Sequence, residues 1–389
     1  MSVPSASPAD PESLIELATT LAQGPLAERA ARHDRDAVFP ADNYADLHRA
    51  GLCALTVPRS HGGLGVSWPT YTAVMGELAQ GCTATTLAFN MHHTIVRFVD
   101  WHGTEAQKAE VFGAVVEEGA LLASITSEPR STLRGGRPPI STKATRTDTG
   151  WSVSGAKHFC SLSTGARWFF TWCTDPDQRG IKALRTLLIP ADSPGVQIHD
   201  DWDVMAMRAS ASNSVTFHDV AVPDANLVPG AEPLLRQGRL DTFIPGYGAI
   251  YTGLAEAAHR FTVDFARTTT FDPDPHPISH YPTVQRHIAE MATAVAASKG
   301  LVRAAADAAE ANVGARRRAI AFHQSKLFAA ETAQKVTRLA LEVCGGRALS
   351  RRLPLERFLR DAQAAPVMGP ATDTSRALIG QLTLGLDPS

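Results

Sequence analysis

Two adjacent histidines, His92 and His93, follow the stretch Phe89-Asn90-Met91. Imidazole exchanges a proton near neutral pH, which suits it to general acid–base work. Neighbours on a helix stand about 100° apart, so only one of the two faces any one pocket. The plainer role for either is that of a hydrogen-bonded helix-end histidine. Neither has an H-x-x-x-H partner or a carboxylate at ligand spacing, so no metal site is expected. Gly345 and Gly346 let a backbone approach a phosphate closely, and they equally suit a helix C-terminal turn. The segment Arg130 to Pro139 is basic and Gly-rich, fit for a phosphate or for plain solvation, and Arg316-Arg317-Arg318 reads as a solvated helix face.

These residues need elements to hold them. Leu14, Leu17, Ala18 and Leu21 recur at i, i+3, i+4 and i+7, and Tyr71 to Val99 is apolar at similar spacing, so the first third is expected to be a helical bundle. From Leu121 to Pro223 the pattern shortens to β-rich runs such as Trp168-Phe169-Phe170-Thr171-Trp172, broken by Gly, Pro and Asp. An antiparallel barrel or sandwich is expected there, with those aromatics as its core and wall. Ala-rich stretches return beyond Phe243, including 289–311 and 319–341, and predict a C-terminal four-helix bundle interrupted at Phe271-Asp272-Pro273-Asp274-Pro275-His276-Pro277. The fold class is therefore α+β and mainly α, with units at 1–120, 121–230 and 231–389.

Composition narrows the partners. With 389 residues and 44% hydrophobic content the chain can bury a large core. A formal charge of −2 leaves no basic footprint for nucleic acid, and no apolar run approaches the ~20 residues of a membrane helix. A small-molecule substrate is the default. Five cysteines without a C-x-x-C pair, and an N-terminus without a basic-apolar signal, point to a reducing cytoplasm, with the first ~10 residues disordered.

Several motifs, in order, resemble the acyl-CoA dehydrogenase superfamily. Leu47 to Val66 is similar to its "helix, Gly, V-P, G-G-x-G" entry, and Ser127-Glu128-Pro129 to its S/T-E-P. Trp151 to Lys157 resembles its W-x-x-x-G-x-K hairpin, and Met207-Arg208-Ala209-Ser210 through Val220-Ala221-Val222-Pro223 its strand pair. Val343-Cys344-Gly345-Gly346 matches its phosphate-side turn, and Glu356 to Ala362 its E-R-x-x-R-D-A. The resemblance implies the three-part fold and a flavin, FAD or FMN. Thr126, Ser127, Phe159, Ser161, Arg267, Gly345 and Gly346 would meet the cofactor. It also implies a homodimer or homotetramer, because the family completes each flavin site with a neighbouring subunit.

One position departs from the pattern. The family's base falls eight residues after the Asp, and that position here is Gly369, which cannot accept a proton. Asp241 lies near an alternative base position on an earlier helix, although a capping or solvated role suits it better. A branch of the family without the Glu, the flavin monooxygenases served by a separate reductase, reacts reduced flavin with O₂ to a C4a-hydroperoxide. Phe159-Cys160-Ser161 resembles that branch's F-x-S strand, and Met207 to Asn213 its M-R-A-T-G-S-N. That likeness assigns His92 and Ser161 to the peroxide, and His93, Met368 and Gly369 to the substrate pocket. Two other readings stand beside it, an acyl-thioester dehydrogenase or related enzyme with a displaced or missing base and a catalytically silent subunit. Arg360 and Asp361 are expected to form a helix-end ion pair.

Overall fold

A computed structural model describes residues 10–129, 140–229, 242–311 and 313–386. Asp241 and the basic segment Arg130 to Pro139 lie outside the described residues, as do residues 1–9.

The N-terminal third is helical. α1 (Pro11–Leu21) opens on a proline, where the missing N–H costs nothing. α2 (Ala27–Asp36) and α3 (Ala41–Arg49) follow. α4 (Trp68–Gly81) is capped by Ser67, whose Oγ accepts the Thr70 N–H. α5 (Thr83–His102) is buried all round from Thr83 to Val96, as a helix must be when other elements enclose it. α6 (Glu105–Glu118) begins in a Thr104/Gln107 capping box and ends at Gly119 in the left-handed region.

Strands replace helices at Leu121. The seven are β1 (Leu121–Ile125), β2 (Lys143–Thr147), β3 (Gly150–Lys157), β4 (Ala166–Thr174), β5 (Leu184–Pro190), β6 (Val196–Ile198) and β7 (Val215–Pro223). They form one sheet in the order β1-β4-β2-β3-β7-β6, with β5 also on β4. Most neighbours are antiparallel, as expected, but β1 runs parallel to β4 and packs against α5. Because β4 is covered on both faces, Trp168, Phe169, Phe170 and Trp172 are all buried, and Phe170 stacks on Phe98 of α5 at 5.6 Å.

Three long helices then return: α7 (Ile244–Thr268), α8 (Pro282–Glu310) and α9 (Ala315–Cys344). The place of a fourth is taken by two short ones packed on α9, α10 (Leu355–Ala362) and α11 (Thr372–Thr383). α7 crosses α5 closely at Gly246, where a Cβ would stand 1.8 Å from Asn90 Oδ1. Among the described residues no helix is long and apolar enough to cross a membrane. All five cysteines are free and buried, and burial pushes the Cys53 and Cys173 thiols up to about 12 and that of Cys344 to about 11.

Candidate active site

The sheet ends in a polar floor. β3 stops at Lys157, whose Nζ donates to Glu128 Oε1 at 2.7 Å and to the Trp172 carbonyl at 2.7 Å. Glu128 also accepts from the Ser141 N–H and hydroxyl, both at 2.6 Å, and from the Thr142 N–H at 3.1 Å. Burial alone would raise the Glu128 carboxyl, but the Lys157 charge and these donors pull it down to about 2. The pair locks the end of β1 to the end of β3. Just beyond it the Ser127 carbonyl accepts the His158 N–H at 2.9 Å, so Thr126, Ser127 and Phe159 stand together.

Phe159-Cys160-Ser161 is not a strand, as its likeness to F-x-S suggested, but a turn. Phe159 and Leu162 hold φ of +54° and +68°, and such positive values belong to turns. The geometry turns the Phe159 ring outward, 66% exposed, edge-on to Trp202 at 6.1 Å. Ser161 points inward, and its Oγ lies 2.8 Å from Ser212 Oγ, which lies 2.7 Å from Ser210 Oγ. Asn213 Nδ2 donates to Ser163 Oγ at 3.0 Å, and Ser163 Oγ donates to the Ala211 carbonyl at 2.8 Å. A chain of three hydroxyls able to accept and donate in turn can relay a proton without carrying charge. Ser210, Ser212 and Asn213 were read in the sequence only as part of the Met207 to Asn213 likeness, with no role of their own, and Trp202 was not singled out. The segment Met207 to Ser210 is a short helical turn, so only β7 of the expected strand pair is a strand.

This floor is tied to the C-terminal helices. Asp361 Oδ1 accepts the Met207 N–H at 2.7 Å, and burial raises the Asp361 carboxyl to about 6 against that bond and the nearby Arg357. The expected Arg360–Asp361 pair does not form. Arg360 instead bridges Asp34, at 2.6 and 3.0 Å, and Glu356, at 2.7 and 3.0 Å. After α10 the chain turns through Met368 and Gly369. The Tyr251 hydroxyl of α7 reaches Met368 Sδ at 3.5 Å.

The histidines stand differently from expectation. His92 is wholly buried, and its Nδ1 accepts the Leu122 N–H at 3.1 Å. Nε2 therefore carries the ring proton and donates it to the Cys53 carbonyl at 2.9 Å. Burial, partly offset by that carbonyl, depresses its pKa to about 4. Both nitrogens are engaged in clamping α5 to β1, which leaves His92 no atom for a ligand, contrary to its expected role as proton donor. His93 is also buried; its Nδ1 meets Thr56 Oγ1 at 3.1 Å and its ring packs edge-on to Phe89 at 4.3 Å. Burial holds it well below the usual histidine range.

Arg267, Gly345 and Gly346 lie elsewhere. Arg267 is exposed in the last turn of α7, sixteen residues beyond Tyr251, or about 24 Å along the helix. Gly345 takes φ +62° where α9 ends, with open space where a Cβ would stand. Met368 thus lies against Tyr251 in the first half of α7, while Arg267 lies in its last turn, and Cys344, just before the glycine pair, meets Thr262 near that far end. The exposed Phe159 ring is fit to meet a flat ring, and the open Gly345 backbone a phosphate. Among the described residues no group of His, Cys, Asp and Glu could hold a metal ion.

Comparison with known proteins bears on these features. The chain matches the models for the acyl-CoA dehydrogenase N-terminal domain over residues 8–118, the middle domain over 127–220 and the C-terminal domain over 237–383. It is 30% identical to dibenzothiophene monooxygenase of Mycolicibacterium goodii, across 84% of this chain and 83% of that protein. It is 25% identical to mitochondrial isobutyryl-CoA dehydrogenase of Dictyostelium discoideum, across 96% and 88%. In structure it is similar to FMN-bound TdsC from Paenibacillus sp. A11-2, with a TM-score of 0.87 at 25% identity over 96% and 97% of the two chains.

Proposed function

The chain belongs to the acyl-CoA dehydrogenase family, and from that premise we propose that it is a flavin-dependent oxidoreductase acting as a monooxygenase on a small organic substrate. A separate reductase would supply it with reduced flavin. The observation that carries this reading is the hydroxyl chain Ser161–Ser212–Ser210 on the sheet floor, in a chain with glycine at 369. Dehydrogenation of an acyl thioester needs a base at the substrate's α-carbon. Oxygen transfer needs instead neutral donors and a dry wall.

Thr126, Ser127, Phe159 and Ser161 would hold the ring of FAD or FMN. Arg267, Gly345 and Gly346 of a second copy would hold its phosphate end, because ~24 Å of helix separates Arg267 from Tyr251, which meets Met368, within one chain. The bound flavin would supply the electrons that activate O₂. The protein's part is to keep Ser161 in hydrogen-bond reach of the developing hydroxyl and to pass a proton along the serines. His93, Met368 and Gly369 are proposed to bound the substrate pocket. In the balanced reaction one oxygen atom of O₂ enters a C–H or heteroatom of the substrate. The other leaves as water with the two electrons and two protons of reduced flavin.

The dehydrogenase reading has support from relatives such as isobutyryl-CoA dehydrogenase. One experiment separates the two. Protein, chemically reduced FMN and ¹⁸O₂ are mixed with indole, a ligand of TdsC, and the products are weighed by mass spectrometry. One ¹⁸O atom per product molecule is expected. No labelled product, with anaerobic bleaching of oxidised flavin by butyryl-CoA, would return the chain to acyl-thioester chemistry. Neither reaction would indicate a silent subunit.

A further inference from the structure

Lys326, midway along α9, is fully buried, and its three partners are all main-chain carbonyls: Ala365 at 2.8 Å, Met368 at 3.1 Å and Pro370 at 2.7 Å. An ammonium has three donors, and all three are used. Burying a cation against dipoles alone is costly, and an apolar side chain of the same length would fill the space without that cost, though it would leave the three carbonyls without this donor. Packing therefore does not account for a lysine here. What it achieves is to draw three carbonyls, spread over six residues of one turn, onto a single point. The turn's own main-chain bonds engage its N–H groups, Ala365 to Ala362 O and Val367 to Ala364 O at 3.3 Å, Met368 to Ala364 O and Thr372 to Pro366 O at 2.9 Å, whereas the ammonium engages its carbonyls.

We propose that Lys326 is a positioning residue for the substrate pocket: its ammonium pins the turn 365–370 and so sets where Met368 and Gly369 stand. The inference rests on the reading of those two residues as pocket wall. Lys326→Met keeps the stem and removes the donors, and Lys326→Gln keeps two of them. Amide hydrogen exchange is followed in the full chain at Met368 and Thr372 of the turn and at Ala329 and Ala330 of α9. Indole oxygenation is measured alongside. The expected result for Lys326→Met is exchange about tenfold faster or more at the turn, from the loss of charge-assisted bonds, with wild-type protection on α9. Indole KM should rise while FMN affinity stays within about twofold, and Lys326→Gln should recover part of both effects, since it retains donors.

Unchanged exchange at the turn, or an equal rise along α9, would overturn the proposal. So would faster turn exchange that leaves indole KM and kcat untouched. If Lys326→Met does not fold, Lys326→Gln decides by the same outcomes. A wild-type protein inert to indole sinks the monooxygenase reading instead, and the exchange comparison still judges Lys326.

Discussion

Lys157→Met is the sharpest test of how the floor is held. The wild-type Lys157–Glu128 pair has both side chains within 2% of full burial. Lowering the Glu128 carboxyl from 4.5 to about 2 corresponds to roughly 3 kcal/mol favouring the charged folded form. Because the folded pKa lies below the unfolded one, that stability is present above pH 4.5 and is lost as pH falls towards 2. Removing the lysine leaves a buried carboxylate with only the Ser141 and Thr142 donors, and burial, now less opposed, raises the pKa from about 2 towards the unfolded value. The acid-side decline then shrinks, because less separates the folded from the unfolded pKa. At pH 7 the expected loss is about 3–5 kcal/mol, read by urea unfolding at a series of pH values. The double variant Lys157→Met with Glu128→Gln should lose less than the single one, since no charge is stranded. A loss below about 1 kcal/mol, or a single variant with the wild-type acid slope, refutes the reasoning.

Three further outcomes follow from the geometry. Ser161→Ala should cut labelled product per reduced flavin by about 100-fold, the lower range for a lost proton donor, while FMN affinity measured by fluorescence quenching falls far less, by about tenfold at most for one lost hydrogen bond. His92→Ala strands the Leu122 N–H and the Cys53 carbonyl and opens a void, for an expected loss of about 3–5 kcal/mol in thermal unfolding. In the wild type, His92 has a folded pKa near 4 against 6.5, so its contribution is present above pH 6.5 and disappears as pH falls through 4; the variant should lack that acid-side decline. Gly246→Ala forces a Cβ to 1.8 Å from Asn90 Oδ1 and should cost about 3 kcal/mol; an unchanged melting temperature would show that α5 and α7 do not meet there.

The three-part architecture was legible because each period is long and uniform: Ala-rich helices around α8 and α9, and aromatic runs such as 168–172. What the sequence concealed was direction. His92 and His93 looked like acid–base groups because of their side-chain type, and only the placement of Cys53 and Leu122 on either side of the ring reveals a clamp. Arg360 and Asp361 looked like a pair because they are neighbours, yet adjacent residues on a helix point about 100° apart and find Asp34 and Met207 instead. Phe159 to Ser161 resembled a strand because of its composition, while a positive φ at a phenylalanine is not readable from one sequence. Lys326 was passed over because nothing in its neighbourhood in the chain marks the turn forty residues on that it meets.

The five buried thiols carry a consequence for the proposed monooxygenase. A thiol with a pKa near 12, as at Cys53 and Cys173, is ionised in roughly one molecule in 10⁵ at pH 7, and the thiolate is the form that oxidants and alkylating agents attack. Cys160 sits between Phe159 and Ser161, and burial pushes its thiol higher still. The fold thereby keeps its own sulphur inert next to the place where oxidant would be generated, and iodoacetamide labelling of the intact protein becomes a direct clock for how often the molecule opens.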